Sequence, residues 1–134
     1  MRLSVIYLLF FNLSTSSEDV VRVEIPTVKD NLIDAIIHVE SRGDSMAYNA
    51  KEDAVGVLQI RPIMLREVNR LLGYNKYTLN DRWSVDKSKE MFNIVRKYIK
   101  NPTDERVARI WNGGYSGNKK KATIGYWNKV KKQL

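Results

Sequence analysis

Three short motifs in this 134-residue chain carry groups able to do chemistry. The first is Glu40-Ser41-Arg42-Gly43. Ile33, Ile36 and Ile37 sit at positions i, i+3 and i+4 of a helix predicted over residues 31–41, and Glu40 is the i+7 position of the same series. At 3.6 residues per turn the carboxylate shares the isoleucine stripe. Burial disfavours its charged form, and the negative end of the helix dipole does so again. Both effects raise its pKa, and an acid still protonated near neutral pH is what general acid catalysis needs. The spacing equally permits a helix-end Glu that turns to solvent or pairs with Arg42.

The second motif, Gly56-Val57-Leu58-Gln59-Ile60, sets an amide among aliphatic residues. Burying that amide is costly unless it is hydrogen-bonded. Gln59 either caps a neighbouring backbone group or faces a cleft and bonds a ligand amide. If the segment is extended, Val55, Val57 and Gln59 share one side. The third motif is Ile110-Trp111-Asn112-Gly113-Gly114. Asn before two glycines marks a sharp turn, and an Asn held at a helix end can also bond a sugar or an N-acetyl group. Of the three tryptophans, Trp111 is the best placed to reach a cleft and stack on a sugar.

Short helices must position these groups, so the fold class is mostly α. Thr27 to Asp30 reads as a capping-box start for the first helix, and Gly43 as its stop. Residues 55–60 form an extended segment or a tight turn. Pro62 opens a second helix that ends at Gly73, with Leu65, Val68 and Leu72 on one face. Residues 74–81 read as a loop. Ser84 caps a helix over 85–100, and Asn101-Pro102 breaks it. Thr103 caps the next, which ends at Asn112-Gly113-Gly114. A last helix over 123–133 turns Ile124, Trp127 and Val130 inward. No internal repeat or long linker divides the chain, so residues 17–134 form a single domain.

Composition narrows the chemistry. There are 23 Lys and Arg against 15 Asp and Glu, a net charge of +8, which favours a polyanionic or acidic partner. Cys is absent, which excludes disulfides, a thiolate nucleophile and a Cys zinc site. The lone histidine, His38, points away from the Glu40 stripe and makes a poor metal site. Lys119, Lys120 and Lys121 read as a solvated loop. Arg2, the apolar run 3–11 and the small residues Ser14 to Ser17 have the layout of a signal peptide cleaved after residue 16. The expected location is therefore outside the cytoplasm: periplasm, cell envelope or medium. The apolar run is too short to span a bilayer, so no stable membrane insertion is expected.

Taken in order, the motifs resemble those of the goose-type lysozyme and soluble lytic transglycosylase superfamily. Glu40-Ser41 corresponds to its helix-ending Glu-Ser, and Gly56-Val57-Leu58-Gln59 to its Gly-Leu-Met-Gln segment. Ile110 to Gly114 corresponds to its Ala-Tyr-Asn-Ala-Gly motif, and Tyr126 with Val130 to a Tyr and aliphatic near its end. The chain departs from the pattern at Trp111, Gly113 and Val57-Leu58. The resemblance implies a lysozyme-like α+β fold: short helices around a cleft, with a minimal extended segment. It implies cleavage of the β-1,4 bond between N-acetylmuramic acid and N-acetylglucosamine in peptidoglycan glycan strands. Glu40 would be the catalytic acid and base, and Ser41, Gln59, Asn112 and Tyr126 would position the sugar and the acid. No cofactor or metal is implied, and a monomer is expected.

Glycosidases ordinarily use two carboxylates. Asp44, Asp53 and Asp81 are available, but no motif marks one as the partner. The lytic transglycosylase outcome needs only one acid, because the sugar's own N-acetyl group and 6-hydroxyl complete the chemistry. Attack by water would instead make a lysozyme-type hydrolase. A non-catalytic peptidoglycan-binding module and a nucleic-acid-binding helical domain are the competing classes. No nucleic acid is expected, because the cations are spread along the chain instead of gathered on one helix.

Overall fold

The computed structural model describes residues 29–134; the expected export segment lies outside them. Helix α1, Asn31–Ser41, is capped by Asp30, whose carboxylate accepts from the Ile33 N–H at 3.4 Å. The cap is thus three residues later than the sequence suggests, and Thr27 lies outside the described residues. Asp30 also accepts from Arg96 Nη1 at 2.6 Å, which ties the start of α1 to a later helix. Leu32, Ile33, Ala35 and Ile36 are buried, as a stripe of period 3.6 requires. At the other end the stop is shared by two residues. Arg42 takes a left-handed conformation and donates its N–H to His38 O at 3.0 Å, and Gly43 follows at φ 84°.

Two dipeptide strands follow, β1 (Tyr48–Asn49) and β2 (Ala54–Val55), paired antiparallel with Tyr48 opposite Val55 and Asn49 opposite Ala54. The chain then doubles back at once. Val55 and Ile60 exchange N–H···O bonds of 3.2 and 3.0 Å, so residues 56–59 form a tight turn. Val55, Val57 and Gln59 therefore do not share one side of a strand. The turn forms because Gly56 takes φ 77°, where a Cβ would collide with the Arg82 carbonyl. Val57 and Leu58 are driven into the core, and Gln59 is left at φ 47°. Arg82, itself buried, donates to Asp53 O at 2.6 Å, Ile60 O at 3.1 Å and Leu79 O at 3.0 Å, stapling the hairpin to the segment behind it.

Helix α2, Pro62–Leu72, starts at its proline and ends at Gly73 with φ 81°. The expected loop over 74–81 is partly ordered as a 3-10 turn, Leu79–Trp83, because Thr78 and Asp81 form a reciprocal capping box. Helix α3, Val85–Lys97, is capped by Ser84 and is three residues shorter than expected. Tyr98 and Ile99 switch to i→i−3 bonds of 3.1 Å, which tighten and close the last turn. Helix α4, Asp104–Gly113, is capped by Thr103. Helix α5, Ile124–Lys131, is only eight residues long. Val130 is buried and Trp127 half-buried, but Ile124 is exposed, contrary to the sequence expectation. Thr123 goes inward instead, its hydroxyl bonded to Gly117 O at 2.6 Å and to Arg109 Nε at 2.9 Å.

The described residues thus build a mostly α, lysozyme-like fold of five α-helices and one two-stranded sheet. One core cluster joins Ile36 of α1, Val57 and Leu58 of the turn, Val68 of α2, Met91, Phe92 and Val95 of α3, Ala108, Ile110 and Trp111 of α4, and Val130 of α5. Trp111 is 5% exposed and packs edge-on against Phe92, with centroids 5.0 Å apart. It belongs mainly to the core and reaches the cleft only as part of its wall, which corrects the expectation of a sugar-stacking platform. Trp83 is the more exposed indole and lies near Tyr48.

The turn at Gly56 gives a direct test. Gly56→Ala must combine a left-handed φ with a collision against backbone, so it is expected to destabilise the protein by at least about 2 kcal/mol. Chemical denaturation checks this. A variant as stable as the parent would show that the turn relaxes at no cost.

Candidate active site

Glu40 lies in the last turn of α1, where the isoleucine stripe runs out into a cleft. Its carboxyl Oε1 accepts a hydrogen bond from the Tyr126 hydroxyl of α5 at 2.8 Å. The pKa of Glu40 is raised from 4.5 to about 7. Burial is the largest cause. The Tyr126 hydrogen bond and the charge of Arg61 pull the value down, and the charge of Glu52 pushes it up. The Tyr126 hydroxyl is itself pushed up, chiefly by burial and then by the neighbouring carboxylate. Among the described residues Glu40 makes no ion pair with Arg42, whose left-handed backbone caps the helix.

The cleft has a volume of about 190 Å³ and a polar lining. Glu40, Asn49, Glu52, Gln59, Arg61 and Asn112 supply its polar side, and Met64 and Trp111 part of its wall. Gln59 does both things its position in the sequence allows. Its amide nitrogen donates to Ala47 O at 3.1 Å and Gly56 O at 2.9 Å, while the residue lines the cleft. Both N–H groups are thereby used, so the amide oxygen is what remains for a ligand N–H or O–H. Asn112 is exposed on the cleft at the end of α4, and its backbone carbonyl faces Arg61 Nη2 at 3.5 Å. The two glycines after it make that placement possible. Gly113 packs against Thr123, and Gly114 turns the chain at φ 79°.

Ser41 does not line the cleft. Its hydroxyl bonds Val57 O at 2.8 Å and accepts from the Gly43 N–H at 3.2 Å, so it ties the end of α1 to the 56–59 turn. Four of the five site residues expected from sequence are therefore brought together: Glu40, Gln59 and Asn112 on the cleft, and Tyr126 on the Glu40 carboxyl. The fifth holds two of their supports in place.

Sequence reasoning missed Asn49, Glu52, Arg61 and Met64. Asn49 and Glu52 lie in a polar stretch whose hairpin was not legible, and Arg61 precedes Pro62 with no motif of its own. The three aspartates named as possible partner carboxylates are used elsewhere. Asp44 caps the Met46 N–H at 2.8 Å, Asp53 pairs with Arg82 at 3.4 Å, and Asp81 bonds Lys87 and Thr78. The second carboxylate lining the cleft is Glu52. His38 is exposed and lies off the cleft. Among the described residues no three His, Cys, Asp or Glu side chains are grouped so as to hold a metal ion.

A second depression adjoins the first. It has a volume of about 940 Å³ and shares Arg61, Met64 and Asn112 with the Glu40 cleft. Ile63, Val95 and Ile110 add apolar wall, and Arg66, Glu67, Arg70, Tyr115 and Lys120 add polar and charged groups.

Comparison with known proteins supplies the family. Residues 22–133 match the family described as Transglycosylase SLT domain. No curated protein and no solved structure matches the chain.

The raised pKa of Glu40 has a consequence for stability. The folded state holds this proton more tightly than the unfolded chain, whose value is near 4.5. Its contribution is full below pH 4.5 and is lost as pH rises through about 7, amounting to roughly 3 kcal/mol at about 1.4 kcal/mol per unit. Glu40→Gln removes the titration. Its stability relative to the parent is therefore expected to rise between pH 4.5 and 8, as measured by thermal or urea unfolding at both pH values. A difference that does not change with pH would place the carboxyl in solvent.

Proposed function

Because the chain belongs to the Transglycosylase SLT domain family, whose members are lytic transglycosylases acting on peptidoglycan, we propose that Glu40 is its catalytic acid and base. The bond cleaved is the β-1,4 linkage between N-acetylmuramic acid and N-acetylglucosamine. The observation that carries this reading is a partly buried carboxyl with its pKa raised to about 7, opening on a polar cleft and held by Tyr126. Such a group is protonated often enough to donate and ionised often enough to accept.

The protonated carboxyl gives its proton to the glycosidic oxygen as the bond from C1 of the muramic acid breaks. The carbonyl oxygen of that sugar's N-acetyl group bonds C1 and takes up the positive charge. Glu40, now a carboxylate, is stabilised by the Tyr126 hydroxyl and by the positive charge of Arg61. It then removes the proton from the 6-hydroxyl of the same sugar, whose oxygen displaces the N-acetyl oxygen at C1. Glu40 regains its proton, and the product ends in a 1,6-anhydro ring. Gln59 and Asn112 hold the sugar through its amide and hydroxyl groups.

A second outcome has its own support. Glu52 places another carboxylate on the cleft, and two carboxylates can activate water for hydrolysis. Digestion of purified peptidoglycan followed by mass analysis separates the two. Anhydro products, lighter by one water than hydrolytic ones, are expected. Glu40→Gln is expected to lose at least about 10²–10⁴-fold in rate. Full activity in that variant would overturn the role of Glu40, and water-added fragments alone would assign the second step to Glu52.

The protein acts outside the cytoplasm, on the reading of residues 1–16 as a signal peptide. Among the described residues no helix is long and apolar enough to cross a membrane. N-terminal sequencing of protein recovered from the envelope or medium is expected to begin near Ser17. An intact Met1 on cytoplasmic protein would overturn export.

A further inference from the structure

The net charge of +8 comes from one part of the chain. Residues 1–105 hold 15 Lys and Arg against 15 Asp and Glu, whereas residues 106–134 hold eight cations and no carboxylate. Cations occur all along the sequence, but the acids stop at Glu105. The whole excess therefore belongs to most of α4, the loop after it and α5.

The two arginines of this stretch face inward. Arg106 is half-buried. Arg109 donates to Glu105 at 2.8 Å, to Thr123 Oγ1 at 2.9 Å and to the Lys120 carbonyl at 3.1 Å, which pins the loop to α4. Gly117 packs so closely on the Arg109 carbonyl that a Cβ there would collide with it. The six lysines are all exposed. Lys120 Nζ folds back to the Gly113 carbonyl at 2.7 Å. Five remain: Lys119 and Lys121 ahead of α5, and Lys129, Lys131 and Lys132 at its end. None of the five makes an ion pair among the described residues.

An eight-residue helix is about 12 Å long, so these two groups stand at the ends of one short track. By helical period, Asn128 and Lys132 lie roughly opposite Val130 and Tyr126, with Lys129 and Lys131 on either flank. The track thus faces away from the side of α5 that bonds Glu40. On α1, which packs against α5, Asp34 shares a depression with Lys29, Gln133 and Leu134, so one carboxylate borders the far end.

Unpaired lysines set in a line on a pinned loop and a helix favour a linear polyanion. A bilayer fits less well, because a helix that adsorbs to lipid needs a free apolar face. That of α5 is turned into the core through Val130 and Trp127, and Ile124 alone stays outside. Nucleic acid also fits less well. Tyr126 and Trp127 are half-buried, so no ring of α5 is open for base stacking, and lysine lacks the planar fork that reads base edges. We propose that the outer face of α5 and the loop before it dock a linear phosphodiester polymer without bases, an anionic polymer of the cell envelope, and so hold the protein beside its substrate with the cleft open. The envelope as its source rests on the peptidoglycan reading of the Glu40 site; the charged face does not.

Titration with poly(glycerol phosphate) at low salt tests this with no glycan present. Lys129, Lys131 and Lys132 are replaced together by Gln, which keeps helix propensity. Lys51, Lys97 and Lys100, exposed and unpaired elsewhere, are replaced together as a control of equal net charge. The parent is expected to bind the polymer and to release it as salt is added. The first triple variant is expected to bind at least about tenfold more weakly, or about 1.4 kcal/mol over three charges. The control is expected to stay within about twofold of the parent, as screened, distant charges should. Lys119→Gln with Lys121→Gln is expected to weaken binding too, and reports on the same surface without touching α5. No binding by the parent overturns the inference. So do equal losses in the two triple variants, since net charge then acts without a site. So does tighter binding to single-stranded DNA of equal charge or to phosphatidylglycerol vesicles. Retained activity in Glu40→Gln would leave these results untouched, so the two readings fail separately.

Discussion

The hydrogen bond between Tyr126 and Glu40 joins residues 86 positions apart, and the arrangement of the cleft depends on it. A carboxyl on an isoleucine stripe is an unfavourable thing to bury, because its ionised form loses solvation. One hydroxyl aimed at one of its oxygens offsets part of that loss without neutralising the acid, as a cation in direct contact would. The result is a pKa near 7 instead of one near the floor or far above the physiological range. To bring the hydroxyl there, α5 must pack against α1, and the short length of α5 leaves few residues to do it. Val130 anchors it in the core, and Tyr126, one helical turn earlier, lies on the same side.

The other wall of the cleft is a backbone device. The 56–59 turn needs Gly56 at a positive φ, and it tolerates Gln59 at one because the Gln59 amide bonds two carbonyls of the same neighbourhood. Arg82 braces the hairpin from behind through the carbonyls of Asp53 and Ile60, and Ser41 ties the turn to the last residue of α1. The acid and its facing amide are thus linked by covalent neighbours and short hydrogen bonds, not through a long lever. That rigidity suits the role proposed for Glu40, whose carboxyl must reach first the glycosidic oxygen and then the 6-hydroxyl of the same sugar.

Charge in the molecule is uneven in the same way. The net charge of +8 is not spread uniformly over every cavity. The Glu40 cleft holds two carboxylates and one arginine, whereas the adjoining basin holds four cations and one carboxylate. Arg61 belongs to both, and its field lowers the pKa of the acid. Electrostatics at the site are therefore set by which residues fold next to Glu40, and the basic composition of the chain says little about them.

Much of the structure was legible in the sequence because it depends on local rules. The end of α1, the proline start and glycine stop of α2, and the caps Ser84 and Thr103 follow from spacing and from side chains that satisfy nearby backbone groups. Glu40 was legible because an acid on an apolar stripe violates its own helix pattern. What the sequence could not determine is non-local. Spacing could not show that the acid would meet Tyr126 instead of Arg42, a pairing to which only the family resemblance pointed, nor that Trp111 would be held against Phe92 in the core. It could not show that Thr123 would replace Ile124 inside, because α5 is too short for its own period to set its inward face. Nor could it show that Asn49, Glu52 and Arg61 would border the site, because a two-residue strand pair leaves almost no alternating pattern to read. Spacing along a chain specifies which residues share a face, and only packing between elements decides which faces meet.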